Sequence, residues 1–369
     1  MKIDKVILHH VRMQLKARFE TSFGPIDSRD CIIVELHAGD LVAFGECAAD
    51  KDPLYSYENI ATAWAMLQDY LVPAVLKNTP ANASDYQASI AFVRGHHMAK
   101  AGLEMALWDL WGLDSGQSLQ TMFGGAGSKV AVGVSIGIQP NPQELVKAAE
   151  QYLQQGYQRI KIKIKPGRDV EEAQLMRQNF PDLKLQVDAN SAYRLDNFQT
   201  LKPLDDLDLL LIEQPLAEDD IVDHSKMQAA FKTPICLDES IVSLRHAQQA
   251  IDLDAARVIN IKPGRVGGLS EAIQIHDLCQ AADIPVWCGG MLETNIGRAS
   301  NLAIASLPGF SLPGDISASA RYYHEDLTEE EFILNTDSTI NVPNSIGLGI
   351  TVNRTALGKF SLRSEEFLP

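Results

Sequence analysis

The sequence predicts an α/β fold: a (β/α)-barrel of the modified TIM-barrel type that carries an α+β capping domain. Three observations predict it. Beyond about residue 126, short apolar runs alternate with amphipathic helical stretches, the order that builds a parallel sheet. Eight such runs are present, enough to close that sheet into a barrel. Polar residues at the ends of the runs also recur at a near-constant interval, because the steps from Lys163 to Asp188, Glu213, Asp238 and Lys262 are 25, 25, 25 and 24 residues. One βα unit of that length returns the chain to the same level each time. Five ionisable side chains are therefore expected at one height, on the face where barrel active sites form.

The elements follow in order. Residues 2–49 read as strands: KVILHHVRMQL, a polar break over Thr21–Arg29, then CIIVELHA and LVAFGECA around a Gly39-Asp40 hairpin turn. ENIATAWAMLQDYLVPAVL and HHMAKAGLEMALWDLWGL change to helical spacing. The glycines at 124, 125 and 127 mark a boundary, giving an α+β capping domain over 1–125. A barrel over 126–330 takes its strands from VAVGVSIGI, RIKIKI, KLQVDAN, LLLIEQP, ICLDE, RVINIKP, PVWCGG and FSLPGD, with about seven helices between them. The segment 331–369 is more weakly patterned and is expected to return to the cap.

Composition narrows the partners. The chain has 369 residues, and 48 Asp and Glu outnumber 32 Lys and Arg for a formal net charge of −16. Nucleic-acid phosphates and anionic membrane surfaces attract clustered Lys and Arg, so both are disfavoured and a small molecule is expected. No apolar run approaches the ~20 residues of a membrane span. The five cysteines include no C-x-x-C pair and sit mostly in apolar runs, which reads as reduced, buried thiols of a cytoplasmic protein.

The strand-end acids point to a metal. Asp188, Glu213 and Asp238 follow apolar residues, and three carboxylates converging in a barrel mouth repel one another unless a cation neutralises them. A hard divalent ion with oxygen ligands, Mg²⁺ with Mn²⁺ as the alternative, meets that need. Lys161, Lys163 and Lys165 share one face of a strand by its period of two, and inside a parallel barrel their use is electrostatic or catalytic. Lys262 comes from a strand four positions further round, across the mouth from Lys163. A carboxylate substrate held at the ion has its α-proton acidified, and burial, the metal charge and a second ammonium lower a lysine's pKa toward the range of a general base. Two lysines on opposite faces allow racemisation. One base, with the other ammonium stabilising the enolate, gives elimination.

The series KIK at 161–163, VDAN at 187–190, IEQP at 212–215, LDES at 237–240 and IKPGRVGG at 261–268 resembles the enolase superfamily, in its muconate-lactonising subgroup with paired lysines. GLEMALWDL at 102–110 extends the likeness into the cap, and PVWCGGMLET at 285–294 and LPGDISAS at 312–319 are similar to its o-succinylbenzoate synthase and N-succinylamino acid racemase group. The resemblance implies an enolase-like barrel in which Lys163 is the general acid/base, with Lys161 beside it and Lys262 as the second catalytic lysine. It implies Asp188, Glu213 and Asp238 as Mg²⁺ ligands with Asn190 and Glu239 behind them, and Arg265, three residues after Lys262, as a residue that tunes that lysine from behind. Substrate contacts are expected from the cap through Phe19 and Tyr55, which would touch its apolar part, and from Ser135, Met291, Leu292 and Tyr322. The implied activity is dehydration of a cyclohexadiene carboxylate in menaquinone biosynthesis through an enediolate, or racemisation of N-succinylamino acids, or both in one site. The family often forms symmetric assemblies, so a homo-oligomer is compatible with the likeness.

Absences agree with this group. The seventh strand ends in Cys288-Gly289-Gly290 with no histidine for a Lys/His pair. The family's dipeptide epimerases usually carry an acidic D-x-D pair at the eighth strand to hold an amine, and here Asp315 is a single acid. A metal-stabilised, non-catalytic binding barrel would need only the acids, and the presence of both lysines argues against it. GVSIG at 133–137 matches a nucleophile-elbow pattern, but the next helix signal begins only near Pro142. The pairs His9-His10 and His96-His97 lack a third ligand at metal spacing.

Overall fold

A computed structural model describes residues 1–369. The chain begins with β1 (Lys5–Thr21), β2 (Gly24–Ala38) and β3 (Leu41–Cys47), paired antiparallel as a meander. Gly39 takes φ +58 in the β2–β3 turn, a conformation glycine adopts without steric cost. The polar stretch 21–29 is not a break. β1 and β2 stay paired through Phe19↔Ile26 and Thr21↔Gly24, because this polar tip pairs its own backbone while projecting over the barrel mouth.

Helices α1 (Ile60–Met66), α2 (Val72–Lys77), α3 (Ala83–Ser89), α4 (His97–Ser115) and α5 (Leu119–Phe123) follow. Five residues of π-helix, Leu67–Leu71, join α1 to α2. α4 lies against the sheet, and its approach to β3 is set by two glycines. A Cβ on Gly45 would stand 2.3 Å from the Gly102 carbonyl oxygen, and one on Gly102 would stand 2.6 Å from the Cys47 Cβ.

After β4 (Lys129–Ala131), seven parallel strands run in ring order: β5 (Val134–Ile136), β6 (Arg159–Lys163), β7 (Lys184–Asp188), β8 (Ile212–Glu213), β9 (Ile235–Leu237), β10 (Val258–Ile261) and β11 (Val286–Cys288). Between them lie α6 (Pro142–Gln154), α7 (Val170–Asn179), α8 (Ile221–Ala230), α9 (Leu244–Asp252), and α10 (Pro263–Val266) with α11 (Leu269–Ala281); α12 (Asn295–Ala305) follows β11. The β7–β8 crossover is a 3₁₀ helix, Phe198–Asp206, with Pro203 inside it, where proline disfavours a regular α-helix.

The expected eighth strand, FSLPGD, is not a strand. It closes the ring only through single bridges, Val286↔Phe310 and Val132↔Gly314, and through bonds such as Asp315 N–H to the Cys288 carbonyl at 2.9 Å. Pro313 lacks the N–H a ladder needs. Arg159 of β6 replaces part of that ladder: its Nη2 donates to the carbonyls of Pro313 at 3.0 Å and Gly314 at 2.6 Å. Gly133 makes room, since a Cβ there would stand 2.3 Å from the guanidinium carbon.

The chain ends with β12 (Thr339–Asn341) against β4, α13 (Arg354–Phe360), and β13 (Ser361–Phe367) antiparallel to β1 on the edge of the cap sheet. One large apolar core fills the barrel and runs into the hairpin, and a second fills the cap between sheet and helices. All five cysteines are free and buried. No helix is long and apolar enough to cross a membrane.

Candidate active site

A cavity of about 340 Å³ opens where the cap meets the strand ends of the barrel. Its walls hold Lys161, Lys163, Asn190, Lys262 and Asp315 from the barrel, and Phe19, Arg29 and Tyr55 from the cap. Ser135, Met291, Leu292 and Tyr322 also line it, so every residue expected to touch substrate faces one space. Ser135 is buried within β5 and its hydroxyl has no protein partner. It sits on a regular strand with α6 starting only at Pro142, so it is not a nucleophile elbow.

Below the cavity floor, Asp188, Glu213 and Asp238 close the adjacent strands β7, β8 and β9, and all three are buried. Lys161 Nζ lies 3.0 Å from Asp188, 2.7 Å from Glu213 and 2.5 Å from Asp315, and above the Trp287 ring at 4.9 Å. Lys163 Nζ donates to Asp188 at 2.6 Å and to Asn190 Oδ1 at 2.8 Å. Across the mouth, Lys262 Nζ donates to Asp238 at 2.7 Å and to the Tyr55 hydroxyl at 3.1 Å. Arg265 donates to the other Asp238 oxygen and to the carbonyls of Ile241 and Asn260. Asn190 Nδ2 donates to Glu239 at 2.9 Å, leaving the second Glu239 oxygen without a partner.

Two expectations change. Lys165 leaves the interior: β6 ends at Lys163, and Lys165 reaches out to Glu20 of the hairpin at 3.2 Å. Tyr55 presents more than an apolar wall, because its hydroxyl donates to Asp238 at 2.9 Å while its ring lies 4.6 Å from the Lys262 ammonium.

The electrostatics follow from burial and these contacts. Burial works against the Lys262 ammonium, but Asp238 outweighs it and holds its pKa above the ordinary lysine value. Burial likewise opposes Lys161, and Asp315, Glu213 and Asp188 raise it. Both shifts run upward because carboxylates touch the ammonium groups directly. Burial, then Asp188, pushes Glu213 well above the carboxylate range. Burial and Asp238 push Glu239 up to about 8. Asp188 is held low against its burial by Lys163 and Lys161, and Asp238 by Lys262 and Arg265.

No three Asp, Glu, His or Cys side chains converge at ion-ligand spacing, since the carboxylate oxygens turn to the ammonium groups. The donor set still fits a hard divalent cation. Three buried carboxylates from neighbouring strands supply only oxygen donors, and a cation among them would offset the burial and the Asp188 charge that push Glu213 up.

Several residues of this site were not singled out in the sequence. The period of two that selects Lys161 and Lys163 also selects Arg159, and the same alternation from Lys262 selects Asn260, whose Nδ2 donates to Glu213 at 2.8 Å. In the sequence Asp315 stands only as the one acid present where a D-x-D pair would have two. It is instead clamped between Lys161 and Arg159, at 2.5 and 2.7 Å. Gln214 lies inside the IEQP motif, but strand periodicity does not reveal its role, because its side chain turns sideways toward the end of β9.

A barrel with acids and lysines at its strand ends, closed by an α+β cap, defines an enzyme of the mandelate racemase and muconate-lactonising type. The family model "Mandelate racemase / muconate lactonizing enzyme, N-terminal domain" matches residues 3–124, and "Enolase C-terminal domain-like" matches 144–356. An o-succinylbenzoate synthase of Geobacillus kaustophilus is 47% identical over 362 residues, covering 98% of this chain and 96% of the relative. An N-succinylamino acid racemase of Thermus thermophilus is 45% identical, covering 95% of each. The crystal structure of an enolase-superfamily member from Listeria innocua superposes with a TM-score of 0.95 at 40% identity, covering 100% of this chain and 99% of that one. The chain belongs to the enolase superfamily, in the family of the o-succinylbenzoate synthases and N-succinylamino acid racemases.

Proposed function

We propose that the enzyme is an o-succinylbenzoate synthase: it removes water from 2-succinyl-6-hydroxy-2,4-cyclohexadiene-1-carboxylate by syn elimination, as a cytoplasmic step of menaquinone biosynthesis. The observation that carries this reading is a pair of buried lysines facing one cavity from opposite sides, each on its own strand-end acid: Lys163 on Asp188 at 2.6 Å and Lys262 on Asp238 at 2.7 Å. Full-length similarity to named synthases supports it. Asp188, Glu213 and Asp238 would hold Mg²⁺, or Mn²⁺ in its place, and the ion would supply positive charge to the substrate's carboxylate oxygens. Lys163, as the free amine, takes the α-proton, and the resulting ammonium gives it to the departing hydroxide, so that water leaves from the same face. Lys262 stays protonated and stabilises the negative charge that builds on those oxygens. Asn190, Glu239 and Arg265 orient the acids and lysines. Phe19, Tyr55, Ser135, Met291, Leu292 and Tyr322 enclose the substrate and exclude water. The working unit comprises the cap, 1–125, the barrel, 126–330, and the returning segment, 331–369; a symmetric homo-oligomer is compatible with it.

The second reading is N-succinylamino acid racemisation. The opposed lysines favour it, since one removes a proton and the other delivers one to the opposite face, and so does the similarity to the Thermus racemase. Measured kcat/KM for the cyclohexadiene substrate against N-succinyl amino acids ranks the two. The synthase reading expects the first to exceed the second, and absence of dehydration overturns it. Lys163→Ala is expected to lower both rates by at least ~10²–10⁴-fold, and a variant with full activity sinks the mechanism.

A further inference from the structure

We infer that Gln214 is the positioning residue that ties Asp238, just past the end of β9, to the strand ends that carry Asp188 and Glu213, and so sets divalent-cation affinity. This inference rests on the metal reading above.

β8 is two residues long, and its last ladder bond, Gln214 N–H to the Cys236 carbonyl at 2.8 Å, comes just past Glu213. Asp188 and Glu213 are direct partners in the sheet, but Glu213 pairs with Cys236, so Asp238 lies past the end of β9 and the ladder does not hold it in register with them. Gln214 has φ +37, in the left-handed region that side chains other than glycine avoid. That turn swings its fully buried side chain away from the cavity and toward the end of β9. There Oε1 accepts from the N–H of Asp238 at 2.9 Å and of Ser240 at 3.2 Å. Nε2 donates to Ser240 Oγ at 2.7 Å and to the carbonyls of Leu216 and Ala217 at 3.2 and 3.3 Å. On its other side the Gln214 carbonyl accepts from Ser191 N–H at 2.8 Å, beside Asn190. One residue thus ties the loop after Asp188, the loop after Glu213 and the loop that begins at Asp238.

Its bonding capacity is spent on these loops and none reaches the cavity. The backbone strain persists only because these bonds over-determine it. A hard cation bound by carboxylates at three strand ends depends on how well those ends are held relative to one another, and losing a residue that orients the ligands costs typically about 10–100-fold in metal affinity.

The test is isothermal titration of Mg²⁺ into the full-length protein, with thermal unfolding measured alongside. Gln214→Met keeps the side chain's length and removes its hydrogen bonds. We expect it to fold and to bind Mg²⁺ about 10–100-fold more weakly. A folded Gln214→Met with wild-type affinity, even at lower Tm, overturns the inference, because a merely structural residue lowers stability without moving the affinity. If that variant does not fold, Ser240→Ala decides the matter: it removes one Nε2 partner and is expected to weaken Mg²⁺ binding by about tenfold, the low end for an orienting residue, and unchanged affinity overturns the role. A wild type that binds no divalent cation overturns the metal reading and this one together, whereas normal wild-type binding with an unaffected variant overturns this one alone.

Discussion

Glu104 lies on α4 of the cap, yet its carboxylate accepts from the backbone N–H of Ser270 at 3.2 Å, in the first turn of barrel helix α11. Gly268 leaves the space, since a Cβ there would stand 1.9 Å from the carboxylate oxygen. Burial raises the Glu104 pKa from 4.5 to about 7, although the Ser270 bonds oppose the shift. The folded state therefore binds this proton more tightly than the unfolded chain does. The resulting stability is fully present below pH 4.5 and is lost as pH rises through about 7, by about 3 kcal/mol. Glu104→Gln removes that slope. Urea unfolding at pH 4.5 and pH 8 should show the variant gaining about 3 kcal/mol on the wild type between the two, and a constant gap would contradict the burial argument.

At the scale of elements, the cap is set by how closely β3 approaches α4. The Gly45 Cα position faces the Gly102 carbonyl and the Ala106 N–H, both backbone, so nothing can rotate away. Gly45→Ala must push the helix off the strand, and its cost is expected at about 1–3 kcal/mol or more, seen as a lower Tm with the barrel's secondary structure retained. A Tm unchanged from wild type would mean that the helix yields freely. The same logic explains the barrel seam. Pro313 forbids a regular eighth strand, Gly133 admits Arg159, and Arg159 takes over the backbone carbonyls there while clamping Asp315 under the site.

The whole molecule is held together by elements distant in sequence. β13 pairs with β1 from Val6↔Phe367 to Val11↔Ser361, so the chain's end covers an edge of the cap sheet. Glu46 of β3 accepts from the Thr294 and Gly297 N–H groups and from the Thr294 hydroxyl, fastening the cap to the start of α12. Because Phe19, Arg29 and Tyr55 come from the cap and the lysines from the barrel, the cavity exists only in the docked molecule. Deleting residues 361–369 bares the edge of β1. It is expected to lower Tm by several degrees and to promote association through the open edge, read by light scattering; a Tm and a scattering mass per chain unchanged from wild type would show that β13 is dispensable.

Much of the site was legible in the sequence because a barrel repeats. An interval of 25 residues places Lys163, Asp188, Glu213 and Asp238 at one height, and strand alternation turns Lys161 and Lys163 inward. Local chemistry was readable too, in the Gly39 turn and the helix starts. The irregular eighth segment, the outward turn of Lys165, the Tyr55 hydroxyl on Asp238 and the loop-binding role of Gln214 were not. Each depends on a neighbour tens to hundreds of residues away, as Tyr55 does on Asp238 and Arg159 on Asp315. By itself the sequence brought Lys161, Lys163, Asp188, Glu213, Asp238 and Lys262 to neighbouring strand ends, because periodicity is a local property of the chain. Only the tertiary structure decided which charges touch there, and with them the directions of the pKa shifts, because a buried carboxylate responds to whatever lies within a few ångströms of it and not to what is adjacent in sequence.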